Sequence, residues 1–322
     1  MKKKAKIRIT ERDFELLKLL GEYCAATVDS VGKLYGTGRY HEIRIGVLDR
    51  EGYVRRKNNL VYLGEAGKRY LAECGIQCRS LPTSARVKER NPKIARVYLD
   101  FAGSEWRFVP SWDIKGGAQA NKADRLLGVL EGRSKYAVYD IGKRPQEKSL
   151  YSLKREMEKL PATYGINRAL IFYESEGARD AYGEERLGLK EQLLLPRNET
   201  SIALMRAYGE EDLIKKAAQL TFEHGGPAKW SSADFTVDNG TQAIVLVLND
   251  IEKKVKLRQY YEMTQYRLTD RQSIAIICLE GQEKEYAEQF PECEIRTVKA
   301  EELIGHNVQE GNNRPVSIEA EL

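Results

Sequence analysis

No run of eighteen apolar residues occurs in this 322-residue chain, so no membrane-spanning helix is expected. The basic start "MKKKAKIRIT" is not followed by an apolar stretch and does not read as a secretory signal. Histidine is scarce: His41, His224 and His306 lie far apart and form no triad with a serine or cysteine. The five cysteines (Cys24, Cys74, Cys78, Cys278, Cys293) are odd in number and scattered, which suits free thiols in a reducing cytoplasm. Cys74 and Cys78 lack a second ligand pair at zinc spacing. The Gly116-Gly117 loop lacks the G-x-x-x-x-G-K-[ST] phosphate cradle, so nothing supports nucleotide binding. A cytoplasmic protein with no membrane partner is the resulting expectation.

The chain is 42% hydrophobic and 31% charged, an ordinary globular composition long enough for two or three domains. Its net charge of +5 is unevenly spread. Met1 to Lys93 holds 21 Lys/Arg against 11 Asp/Glu, and the remainder holds 32 against 37. A basic quarter on a mildly acidic body points to a polyanionic partner for the N-terminal part.

That part reads as three helices, two strands and a closing helix. Thr10 is a good N-cap, and Leu16, Leu17 and Leu20 share one helical face after it. A short second helix follows, with Val28, Val31 and Leu34 inward. The third, "RYHEIRIGVLDREG", is expected to pack Ile43, Val47 and Leu48 and to show Arg39, Tyr40, His41 and Arg44 outside. Two strands flank Asn58-Asn59, residues that tolerate the positive φ of a tight hairpin. "LDREGYVRRKNNLVYLGEAGKRYL" resembles the end of a recognition helix, the wing and the following helix of a bacterial winged helix-turn-helix. That resemblance implies a third helix in the major groove of double-stranded DNA, with Arg55, Arg56 and Lys57 on phosphate. A protein-binding adaptor is the alternative use of such a domain. The organisation expected is a winged helix over 1–75, a linker over 76–92, α/β units over 93–198 and 199–308, and a flexible tail over 309–322.

The body carries "ADRLLGVLEGRSKYAVYDI" from Ala123 and "ADFTVDNGTQAIVLVLNDI" from Ala233. A shift of 110 places Asp124 on Asp234 and Asp140 on Asp250, and strand and helix patterns then alternate alike in both halves. We expect an internal duplication of α/β units. An acid opening one strand and another ending the next resembles the PD-(D/E)XK, restriction-endonuclease-like core. That resemblance implies Mg²⁺ held by Asp124 and Asp140, or by Asp234 and Asp250, with Lys143 as third member. Lys143 stands three positions past Asp140, where the motif needs two, and Ala precedes Asp124 where the motif has Pro. A structural role competes, since Asp140 and Asp250 are well placed to cap the helices that follow. The expectation is no cofactor and no firm catalytic residue, with a Mg²⁺-dependent nuclease as the alternative.

A winged helix followed by a nuclease-like body is similar to the replication-relaxation family of bacterial plasmids and mobile elements. "ITERDFELLKLLGEY" and "LGEAGKRYL" carry the likeness best, and "FAGSEWRFVPSWD" and "YAVYDIGK" extend it. It implies sequence-directed DNA binding in the transcription, replication or transfer of a plasmid, conjugative element or phage. A homodimer and a replication or transfer protein are the further partners it suggests.

Overall fold

The structure is a computed structural model that describes residues 7–36, 38–80, 84–115, 125–264 and 272–305, without the side chains of Arg86 and Lys115. The flexible tail expected over 309–322 lies outside the described residues. The fold is mixed α/β with three sheets, and the chain divides into a unit up to Gly103 and a unit from Ser104 to Val308.

In the first unit, α1 (Glu11–Tyr23) starts at a reciprocal cap. The Thr10 hydroxyl accepts from the Asp13 N–H, and the Asp13 carboxylate accepts from the Thr10 N–H at 2.8 Å. α1 buries Leu16, Leu17, Leu19 and Leu20 and stops at Cys24, whose φ of 65° is left-handed. β1 (Ala25–Thr27) leads into α2 (Val28–Tyr35), capped by Thr27, and then α3 (Tyr40–Arg50). β2 (Val54–Lys57) and β3 (Leu60–Leu63) form the expected hairpin, with Asn58 at φ 54° in its turn. β1 pairs with the other edge of β3, so the order is β1-β3-β2, all antiparallel. α4 (Glu65–Glu73) follows at Gly64, where a Cβ would sit 2.2 Å from the Gly52 carbonyl oxygen.

The boundary expected near residue 92 lies instead at Gly103. α5 (Ala85–Phe101) packs on β1, α1 and α2, burying Ile94, Ala95 and Val97 and stacking Tyr98 on Tyr23 at 5.1 Å. Much of the supposed linker is therefore the first half of this helix. Pro92 within it, and the basic residues before it, hide the apolar period.

The second unit runs β4 (Arg107–Pro110), α6 (Ser111–Lys115), β5 (Gly128–Glu131), β6 (Lys135–Asp140), α7 (Glu147–Glu158), α8 (Leu160–Tyr164), β7 (Arg168–Tyr173), α9 (Glu176–Tyr182) and β8 (Glu191–Pro196). It continues through α10 (Glu199–Glu210), α11 (Leu213–Thr221), β9 (Gly225–Pro227), β10 (Phe235–Val237), β11 (Gln242–Val245), α12 (Ile251–Thr264), β12 (Ile274–Leu279), α13 (Glu283–Gln289), β13 (Glu294–Val298) and α14 (Ala300–Ile304). Both five-stranded sheets have sequential strand order. In each, the first two pairings are antiparallel and the last two parallel. Leu150, Leu153 and Met157 of α7 cover Ala137, Tyr139, Ala169 and Ile171 on one face of the first sheet. α10 serves the opposite face: the Trp106 indole donates to the Met205 carbonyl at 2.6 Å, and Tyr136 and Tyr208 meet edge to face. α10 and α11 are thus separate helices, and α10 belongs to the first sheet although it lies past the expected boundary at 198. Trp106 is buried there, as core rather than base-stacking surface. Among the described residues no helix is long and apolar enough to cross a membrane.

Candidate nucleic-acid interface and the paired aspartates

α3 has Ile43, Ile45, Val47 and Leu48, apolar residues on both of its faces, so periodicity alone leaves its rotation open. In the structure Ile45 and Leu48 are buried, Val47 is half-buried, and Ile43 is 67% exposed. This corrects the expected packing of Ile43 and Val47. The outer face carries Arg39, Ile43, Gly46 and Arg50, successive at three- and four-residue spacing, beside Tyr40 at 51% exposure. Arg50 Nε donates to the Gly46 carbonyl at 3.3 Å. His41 is only half-exposed, with its Nδ1 3.2 Å from the Gly38 carbonyl.

Arg44, expected outside, is turned inward. Its Nε lies 2.8 Å from Asp13 Oδ1, and its Nη2 reaches Asp13 Oδ2 at 2.5 Å and the Arg8 carbonyl at 2.7 Å. Asp13 is fully buried and also accepts from the Tyr35 hydroxyl at 2.9 Å. Burial alone would raise the Asp13 pKa. The Arg44 guanidinium, the Thr10 amide and hydroxyl and the Tyr35 hydroxyl outweigh it and hold the carboxyl below its ordinary value. The same carboxylate raises the Arg44 pKa. This charge pair sets the rotation of α3, because an ionised Asp13 in the core demands its cation.

On β2, Arg55, Arg56 and Lys57 are all exposed. Arg56 is tied to the turn, its N–H donating to Asp49 Oδ1 at 3.2 Å and its Nε to the Asn58 carbonyl at 3.4 Å. The side chains of Arg39, Arg55 and Lys57 make no hydrogen bond or ion pair with any described residue. Solvated cations of this kind can neutralise phosphates and release the counterions condensed on them.

Of the four candidate aspartates, Asp140, Asp234 and Asp250 are described, and Asp234 and Asp250 do not share a ligand site. Asp124 lies outside the described residues. Asp140 ends β6 and accepts from the Gly142 N–H at 3.1 Å, and Arg197 Nη1 lies 3.4 Å from its Oδ2. Both side chains of that ion pair are buried, at 1% and 0% exposure. It caps no helix, since α7 begins only at Glu147. Lys143 is exposed and makes no ion pair with Asp140, and its carbonyl accepts from Ser175 Oγ at 2.7 Å. Asp234 takes Lys253 Nζ on both oxygens, at 2.7 and 2.8 Å, and the Val245 N–H at 2.8 Å. Asp250 is five residues past the end of β11 and bridges to Leu193 on the edge of the other sheet. Its Oδ1 accepts from Gln192 and Glu252 N–H, both at 3.0 Å, the second as the cap of α12.

Asp140 and Asp250, which the shift of 110 superposes, are therefore not equivalent in the structure. The bonds that close the third strand onto the fourth, Ile141 N–H to the Phe172 carbonyl and Leu246 N–H to the Ile277 carbonyl, put Asp140 in register with Val245. Asp140, Asp234 and Asp250 do not fit a Mg²⁺ site, because Arg197 and Lys253 stand against the first two and Asp250 is buried with its Oδ1 taken by two backbone N–H groups. Among the described residues no three His, Cys, Asp or Glu cluster in a metal-ligating group.

Asp250 gives a testable titration. Burial pushes its carboxyl up to about 6, against the pull of Lys253, and its Oδ2 makes no hydrogen bond with a described residue. A carboxyl whose folded pKa is raised contributes stability below its unfolded value, near 4, and loses it as pH rises through about 6. Asp250→Asn is expected to raise stability at pH 8 by about 1–2 kcal/mol, a gain that disappears below pH ~4. Melting temperatures of both proteins across that range check it, and a gain independent of pH would refute the titration.

Sequence reasoning missed Ile43, Gly46, Arg50 and Arg197. Only helical phase could have found the first three, and nothing local marks Arg197 as the partner of Asp140. The chain matches no family model, no curated protein and no solved structure.

Proposed function

We propose that this chain is a sequence-directed DNA-binding protein whose first unit acts as a winged helix on duplex DNA. The observation that carries the reading is the set of solvated cations, Arg39 beside α3 and Arg55 and Lys57 on β2, on a unit of five helices and a β1-β3-β2 sheet. α3 is the recognition helix in this reading, and the β2–β3 hairpin is the wing that tracks phosphate. The matching strand order and orientation of the two larger sheets support a duplicated, restriction-endonuclease-like body. The buried Asp140–Arg197 and the half-buried Asp234–Lys253 pairs favour a body that does no metal chemistry. The resemblance of the sequence to the replication-relaxation family supports a role in regulating the transcription, replication or transfer of a mobile element.

Arg55→Ala with Lys57→Ala tests the wing. Losing two phosphate contacts should weaken binding to any duplex about 30-fold near ~0.15 M salt and flatten the log–log salt slope by about 2. Fluorescence anisotropy across a salt series measures both. An unchanged slope would remove β2 from the interface.

A further inference from the structure

We infer that α3 reads a C5-methyl group on the major-groove edge of a pyrimidine, through Ile43. This rests on the first unit binding duplex DNA, and three features of the helix carry it further. The centre of the outer face is apolar: Ile43 is 67% exposed, four residues after Arg39 and seven before Arg50. An isoleucine presented to water at mid-helix contributes nothing to the core, whereas Ile45 and Leu48 on the other face are fully buried.

Gly46 lies one turn on, and a Cβ built there would meet nothing within 4 Å. No neighbour in the unit requires glycine, and glycine is an unfavourable residue inside a helix. Its effect is to strip side-chain cover from the helix backbone beside Ile43, so that a base edge can approach closely. Finally, Arg44, whose guanidinium could otherwise pair with guanine, is held by Asp13. Between the two arginines the central strip presents Ile43 and Gly46, with Val47 half-buried beside them and Glu42 and Tyr40 at the flanks. Charge complementarity sets the occupant. Arg39 and Arg50 bracket the apolar centre, and Arg55 and Lys57 stand on the hairpin of the same unit, so the polyanion's groove, with a methyl group at its floor, is the surface that fits.

In the major groove only the C5-methyl of thymine, or the same methyl on 5-methylcytosine, offers an apolar contact. Uracil and unmethylated cytosine lack it. Burying one methyl against Ile43 is worth about a fourfold change in affinity.

The experiment uses the full chain and a duplex site selected from a random library. Each thymine is replaced singly by deoxyuridine, and each cytosine singly by 5-methylcytosine. The expected result is about a fourfold loss at one or two thymine positions, or a matching gain at a cytosine, which tells the two methyl sources apart. Ile43→Ala should bind with the same salt slope but respond to neither change, and Gly46→Leu should lose site preference by keeping the base edge away. Ile43 is mostly exposed and a Cβ at Gly46 meets nothing within 4 Å, and matching melting curves confirm folding. Indifference of the wild type to every methyl change, or full sensitivity retained in Ile43→Ala, would overturn the inference while leaving DNA binding intact. A chain that binds no duplex at all overturns both readings.

Discussion

Arg197→Ala should cost the second unit about 3–5 kcal/mol, the penalty for breaking a buried ion pair by removing one partner. The Arg197 and Asp140 side chains are 0% and 1% exposed, so little water can replace the lost guanidinium. That guanidinium also lies 4.7 Å from the centre of the Phe172 ring, and the Arg197 N–H donates to the Tyr173 carbonyl at 2.7 Å. The pair thus ties the end of β6 to the ends of β7 and β8. Replacing both residues with apolar ones of similar volume, Arg197→Met with Asp140→Leu, should recover most of the loss, since a buried ion pair rarely outperforms well-packed side chains. Urea unfolding of the three proteins measures this. A loss below about 1 kcal/mol for Arg197→Ala would mean that Asp140 is solvated, and would return it to the pool of metal-ligand candidates.

Arg44→Ala is expected to cost about 3 kcal/mol and to leave base preference unchanged in whatever remains folded. Asp13 would keep the Thr10 and Tyr35 hydrogen bonds and lose its only close cation among the described residues. In a unit of this size the melting temperature should fall by more than about 10 °C. The pH dependence has a definite sign. A carboxyl whose folded pKa is depressed supplies stability above its unfolded value, near 3.8, and loses it as pH falls through the folded value. The gap between wild type and variant should therefore close in strong acid. A variant as stable as wild type but relaxed in sequence preference would place Arg44 on the DNA, and α3 would have to be rotated.

Much of the fold was legible because it depends on neighbours along the chain. Thr10 announces the start of α1, and Asn58-Asn59, which tolerate positive φ, announce the hairpin. The candidate site was half legible. The exposed cations of β2 follow from a strand with one buried residue, whereas the reading of α3 failed at Arg44 and Ile43 because the helix is apolar on both faces.

The sequence by itself determined most of the elements, the α/β alternation and the basic first unit, since caps, turns and periodicity are local free energies. Tertiary structure alone decided how α3 is rotated, to which unit α5 belongs and what each aspartate does. Those outcomes depend on partners far along the chain: Asp13 for Arg44, β1 for α5, Arg197 for Asp140, Lys253 for Asp234, and the β8 edge for Asp250. A carboxylate is chemically the same in every one of these settings. What it becomes is set by the charge and the burial that the fold brings to it.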